Sequence, residues 1–289
     1  MPHTYDPTRK VPTRRVALED SFADVPRHYA AGGDLVESHF AAALSAVFPP
    51  GEEFFVRSVR RFRDRITDPV LKQQVAGFIG QEAVHGREHR AFNDRLGQLG
   101  YPTKKVERLT DYLLRLRERL LSAKSNLAVT AALEHFTATL AELVLTSDEV
   151  QGEFGHPAVK QLFLWHALEE SEHKAVAFDV YQAVGGSERT RVTTMRLLRV
   201  LFVSFMAVQM AVSLAADPAT YRPGALLASL RHFRRSPLVS RELWRQLKDY
   251  DRPGFHPLDH DNTALVEEWR ARLFGEQGMM ADKLARPAA

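Results

Sequence analysis

Glu82-Ala83-Val84-His85 and Glu170-Ser171-Glu172-His173 each set a carboxylate three residues ahead of an imidazole. In an α-helix, residues i and i+3 project from one side, so each pair presents an acid and a nitrogen base together. Carboxylate oxygen and imidazole nitrogen are donors that suit iron, manganese or zinc. Two such pairs, joined by one Glu from each of two further helices, can hold two metal ions inside a four-helix bundle.

Helical faces sort the other candidates. At about 100° per residue, His166, Glu170, His173 and Ala177 fall within about 60° of each other. Leu162, Phe163, Ala167 and Val176 flank them. Three polar groups on an apolar line are costly to bury unless something satisfies them, and a metal would. Glu169 lies about 60° off that line and competes with Glu170 as a ligand, while Glu172 faces away. Phe78, Glu82, His85 and His89 share a side of their helix. His89 is either an additional ligand or a donor behind one, and Asp179 is a second candidate for that supporting place. Glu134 shares its face with Thr130, Thr137, Ala138 and Ala141, whose small side chains leave room for a substrate. Thr137 and Ala138 are expected to line the approach. Glu52 shares a face with Phe55, Val56 and Val59, whereas Glu53 lies with Arg57, Arg60 and Asp64, so Glu52 is the inward acid. A third Glu-x-x-His, Glu153 to His156, sits among Gly and Pro and fits no helix face. The motif therefore arises by chance, and buried ion-pair networks can also gather Glu and His.

The elements that must position these residues are helical. Residues 1–30 are polar, rich in Arg and Pro, and read as an arm outside the core. From Gly33 onward apolar residues recur at helical spacing. Asp34 to Phe48 stops at Pro49-Pro50, and Glu52 to Ile66 resumes. Asp68-Pro69 is a start signal for a helix running to Leu99. Further helices are expected over Thr110–Leu121, Ala123–Leu145 and Ala158–Val184. No alternating strand pattern appears, so the fold class is all-α. The expected organisation is an arm (1–30), a metal-binding helix bundle (31–186) and a helical extension packed on it (187–289).

Leu197 to Ala216 is nearly continuous apolar sequence, interrupted by Arg199, Ser204, Gln209 and Ser213. It is short of the about 20 strongly apolar residues that a spanning helix needs. It reads as a core helix with a solvated basic neighbour. The alternatives are a helix at a homodimer surface, or one resting on a membrane, since 11 basic and 3 acidic residues lie between Arg189 and Asp249.

At 289 residues and 45% hydrophobic the chain can bury a substantial core. It has no cysteine, which excludes disulfides, thiolate zinc sites, iron–sulfur clusters and thiol catalysis. A net charge of +3 is too mild to argue for nucleic acid. The N-terminus carries no secretory apolar stretch, so cytoplasm is the expected compartment, with membrane association as the alternative.

Longer strings carry a resemblance. FPPGEEFFVRSVRRFRD (48–64), FIGQEAVHGREH (78–89), TAALEHFTA (130–138) and WHALEESEHKAVAFDVY (165–181) resemble a bacterial family of predicted metal-dependent hydrolases, over roughly residues 30 to 185. The order Glu52, Glu82-x-x-His85, Glu134, Glu170-x-x-His173 is similar to the ferritin-like di-iron carboxylate proteins. The added His166 looks like the three-histidine variant of the arylamine N-oxygenases. The resemblance implies a ferritin-like four-helix bundle binding two divalent ions, iron first, with manganese or zinc as alternatives. The expected activity is that of a di-iron oxidase or oxygenase on a small organic molecule. Hydrolysis by a metal-activated water is the alternative, and metal binding without catalysis the third reading. No Gly-x-Ser-x-Gly nucleophile elbow is present.

Overall fold

Acidic and hydroxyl caps start the long helices. Asp34 accepts from the Glu37 amide and opens α1 (Leu35–Arg60). Asp68 accepts from the Val70 and Leu71 amides, with Pro69 at the first helical position, and opens α2 (Pro69–Gln98). Ser122 caps α4 (Ala123–Thr146). Pro157 begins α6 (Pro157–His173). Between them lie α3 (Thr103–Leu120) and the short α5 (Asp148–Glu153). After them come α7 (Val176–Ala183), α8 (Glu188–Ala215), α9 (Ala225–Phe233), α10 (Arg241–Asp249) and α11 (Thr263–Phe274). The computed structural model describes residues 5–285. Among these the protein is all-α, with one isolated bridge, Val16 to Leu284, and no strand.

Three expectations are corrected. First, α1 runs through Pro49-Pro50 instead of stopping there. A proline inside a helix leaves the carbonyl four residues back without its amide. Here Asn93 of α2 donates its side-chain amide to the Ser45 carbonyl at 3.1 Å, which fills the place Pro49 vacates. Second, the expected Ala158–Val184 helix breaks at Lys174-Ala175, directly after His173. Neither residue is a breaker. The Ser171 and Glu172 carbonyls, which would accept from the next turn, face the Arg9 guanidinium, and Asn262 also donates to Ser171. Third, the N-terminal segment is not outside the core. Val16, Leu18, Phe22, Val25 and Tyr29 are buried in one cluster with Trp165, Leu168 and Trp269.

Small residues on α2 admit that segment. A Cβ at Gly77 would sit 2.0 Å from the Val11 carbonyl, and one at Gly80 would sit 2.0 Å from Thr13 Oγ1. Only hydrogen at both positions lets the chain cross α2 this closely.

The two most apolar helices have opposite fates. In α4 67% of the most apolar window is buried, as a core helix requires. In α8 only 11% is buried, so the expected core helix is a surface helix. Its buried line is Arg191, Met195, Met206, Gln209 and Ser213.

Candidate metal centre

Helices α1, α2, α4 and α6 bring seven side chains to one buried place. Glu52, Glu82, Glu134 and Glu170 supply carboxylates, and His85, His166 and His173 supply imidazoles, none more than 4% exposed. Glu170 Oε1 stands in the middle, 3.0 Å from His166 Nε2, 3.4 Å from His173 Nε2 and 3.8 Å from His85 Nδ1. On one side Glu52, His85 and His166 present ligand atoms all within 4.8 Å of one another. On the other, Glu82 and Glu134 stand 3.2 and 3.3 Å from His173 Nε2. Glu170 thus lies between the two groups, with Glu52 on the His166 side and Glu134 on the His173 side. Gly86 makes the Glu52 approach feasible, since a Cβ there would lie 3.2 Å from Glu52 Oε2.

The inward atoms lack partners. Both oxygens of Glu52, Glu82 and Glu134, Glu170 Oε2, His85 Nδ1 and His173 Nε2 are buried without a hydrogen bond among the described residues. Buried polar atoms are almost always paired, and a group of unpaired acceptors at one point is expensive unless a cation sits among them. This donor set fits divalent metal.

The outward atoms are all committed. His173 Nδ1 lies 2.9 Å from Gln81 Oε1. Gln81 Nε2 donates to Glu172 and to the Pro12 carbonyl, so its oxygen must accept from His173. One proton is thereby fixed on Nδ1, and Nε2 faces the acids. His166 is set by a longer relay. Asn93 gives its amide protons to the Ser45 carbonyl and Glu107, so its oxygen accepts from Ser45 Oγ at 2.7 Å. Ser45 Oγ then accepts from His89 Nδ1 at 2.9 Å, and His89 Nε2 accepts from His166 Nδ1 at 2.6 Å. His166 Nε2 is left for the cluster. His85 Nε2 lies 3.1 Å from Glu169 Oε2, and its Nδ1 turns inward.

His89 and Glu169 therefore stand behind the ligands. Glu169 is also paired with Arg14 from the N-terminal segment at 3.0 Å. Burial lifts its carboxyl to about 8, against the pull of Arg14. Burial likewise lifts Glu134 to about 7, and holds Glu52 and Glu82 well above the carboxylate range. Burial opposes a charge on His173, but Glu170 and Glu134 raise it well above the imidazole range. Without a cation, His173 holds the proton that a cation would replace.

A family model described as predicted metal-dependent hydrolase matches residues 12–261. The chain belongs to that family. No curated protein and no solved structure matches it. For this predicted metal-dependent hydrolase the match reaches well beyond residues 30 to 185, taking in Arg14, which holds Glu169 and Glu172, and helices α8 to α10.

Of the other expected positions, Asp179 and Ala138 lie away from the cluster, whereas Thr137 lines the cavity that Glu52 borders. Asp179, beyond the helix break, pairs with His256 at 2.9 Å and does not reach the cluster. Thr137 lines a cavity of about 380 Å³ between α1, α3, α4 and α8, whose wall is otherwise mostly Leu, Val and Phe and includes Glu52. Ala138 faces a different hollow, with His135, Glu142 and Lys174. Glu172, expected to face away, is buried and held by Arg14, Gln81 and Arg270. Glu53 is paired with Arg57 and Arg90, as its charged face implied. Of the third Glu-x-x-His, Glu153 ends α5 and pairs with His232, and His156 pairs with Asp24. Gln81, Asn93, Ser45 and Arg14 were not legible as site residues, because each acts through a partner distant in sequence.

Proposed function

We propose that this protein is a hydrolase with a dinuclear metal centre held by Glu52, Glu82, His85, Glu134, His166, Glu170 and His173. The observation that carries the reading is the group of buried, unpartnered oxygens and nitrogens at one point, in a chain of the predicted metal-dependent hydrolases. When bound, two divalent ions supply Lewis acidity, polarising a carbonyl or phosphoryl oxygen and lowering the pKa of water to about 7. The chain's own residues do the rest. Gln81, His89 and Glu169 hold the three imidazoles in the ligating tautomer. The apolar cavity excludes water and takes a substrate's hydrocarbon part against Leu133, Phe136 and Leu201. Glu52 is the cluster member in the cavity wall.

A second reading is oxidation at a ferritin-like di-iron centre. It is supported by the ligand order, with Glu, Glu-x-x-His, Glu and Glu-x-x-His on α1, α2, α4 and α6. One experiment separates the two. Metal content is measured by mass spectrometry, and the protein loaded with zinc, manganese or iron is offered carboxylic and phosphate esters with hydrophobic groups. Ester turnover under anaerobic conditions is the expected result. Dioxygen uptake by the reduced iron form, with no hydrolysis for any metal, would instead select oxidation.

A further inference from the structure

We propose that the outer face of α3 and α8 docks on an anionic phospholipid bilayer, lying in its interface with the cavity mouth turned to the lipid. On α8, Leu197, Val200, Leu201, Val208 and Val212 are 54 to 64% exposed. No charge interrupts the helix from Val200 to Ala215. Its opposite line packs along the protein, with Ser213 hydrogen-bonded to His39 and Arg199 paired with Asp251. A helix held lengthwise in this way lies on a membrane and does not cross it.

Helix α3 supplies the other flank through Tyr112, Leu113, Leu116 and Leu120, which are 36 to 70% exposed. Leu113 and Leu201 belong both to this surface and to the wall of the cavity that reaches Glu52. The two helices therefore border one mouth. An apolar molecule dissolved in the bilayer would enter without crossing water.

Charge selects the occupant. Between Arg189 and Asp249 stand 11 basic and 3 acidic residues. Each of the three acids is engaged: Asp217 by Arg27, His28 and His39, Glu242 by Arg245, and Asp249 by His260. Arg222, Arg231, Arg234 and Arg235 are exposed beside the exposed apolar residues Tyr221, Leu227 and Leu230. On α3 the acids Glu107, Asp111 and Glu118 hold Asn93, Arg115 and Arg57, while Arg108 and Arg119 are exposed. Arg108 and Arg119 share the exposed side of α3 with Tyr112, Leu116 and Leu120, so a second copy pressed against this face would bring like charges together, whereas phosphatidylglycerol headgroups would neutralise them. Docking would hold whichever reaction the centre performs.

The full-length protein is sedimented with vesicles of phosphatidylcholine alone or mixed with phosphatidylglycerol. Binding is expected on the anionic vesicles, roughly tenfold weaker on phosphatidylcholine or in high salt. The variants Val200→Asp with Val208→Asp, and separately Leu113→Asp with Leu120→Asp, should each lose at least about tenfold, with unchanged circular dichroism and metal content. Absence of binding to anionic vesicles would overturn the proposal, as would variants that bind like the parent. A dimer that either variant dissociates, with no vesicle binding, would assign the face to a second copy.

Discussion

At the scale of the residue, each clustered histidine commits one nitrogen to a neighbour and turns the other inward. Gln81 fixes His173 and the chain Asn93–Ser45–His89 fixes His166. Partners of this kind typically alter metal affinity ten- to a hundredfold, about the loss expected for Gln81→Leu and for Asn93→Leu in a chelator competition. Glu53→Gln, which touches only Arg57 and Arg90, should leave affinity unchanged. Replacing His166 or His173 by Ala removes a proposed ligand, so metal content per chain should drop. Unaltered metal content in both variants would remove the centre from consideration. The choice of Glu52 over Glu53 was legible because a helix face is a local property. The relay behind His166 was not, because nothing local marks an Asn on α2 as the partner of a Ser on α1.

At the scale of the element, two departures from helical pattern shape the centre. Pro49 frees the carbonyl that orients Asn93, and the helix that carries His166, Glu170 and His173 is interrupted directly after His173. The N-terminal segment supports both α2 and α6. Its Arg14 holds Glu169 at 3.0 Å and Glu172 at 2.7 Å, with both carboxylates fully buried. Arg14→Ala leaves the buried Glu169 without its cation, while Glu172 keeps Arg270, and loss of one partner of a buried pair costs about 3–5 kcal/mol. Denaturant unfolding should show a fall of that order, and a change below about 1 kcal/mol would mean Glu169 finds another partner. Gly77→Ala puts a methyl where the Val11 carbonyl lies, so the segment must lift from α2. Trypsin should then cut after Arg9, Lys10 or Arg14 faster than in the parent protein.

At the scale of the whole molecule, four acids buried together make stability depend on pH and metal. Burial raises Glu134 to about 7 and Glu169 to about 8, above the about 4.3 of an unfolded Glu. These two carboxyls therefore bind more protons in the folded metal-free protein than in the unfolded chain. That contribution to stability is complete below about pH 4 and is lost as pH rises through 7 and then 8. Ligands must shed those protons to bind metal, so affinity changes in the opposite sense. The melting temperature of metal-free protein should fall between about pH 5.5 and 8.5, while the gap to the metal-loaded form widens. At free metal about a hundredfold above its Kd, the added stability should approach about 2.7 kcal/mol. A gap that narrows with rising pH would contradict the protonation of these acids.

Periodicity and ligand chemistry were properties of the chain alone. Hydrophobic spacing set the helices, and the absence of cysteine limited any centre to oxygen and nitrogen donors. The Glu-x-x-His spacing marked which face of α2 and of α6 could meet. Tertiary packing decided what spacing could not encode. It put Glu170 between the two halves, put Asp179 on His256, carried α1 through its prolines and left α8 on the surface. The physical reason is range. A helical face is fixed by neighbours one turn away, but a free carbonyl, a buried proton or an unpartnered apolar stripe takes its meaning from a segment far along the sequence.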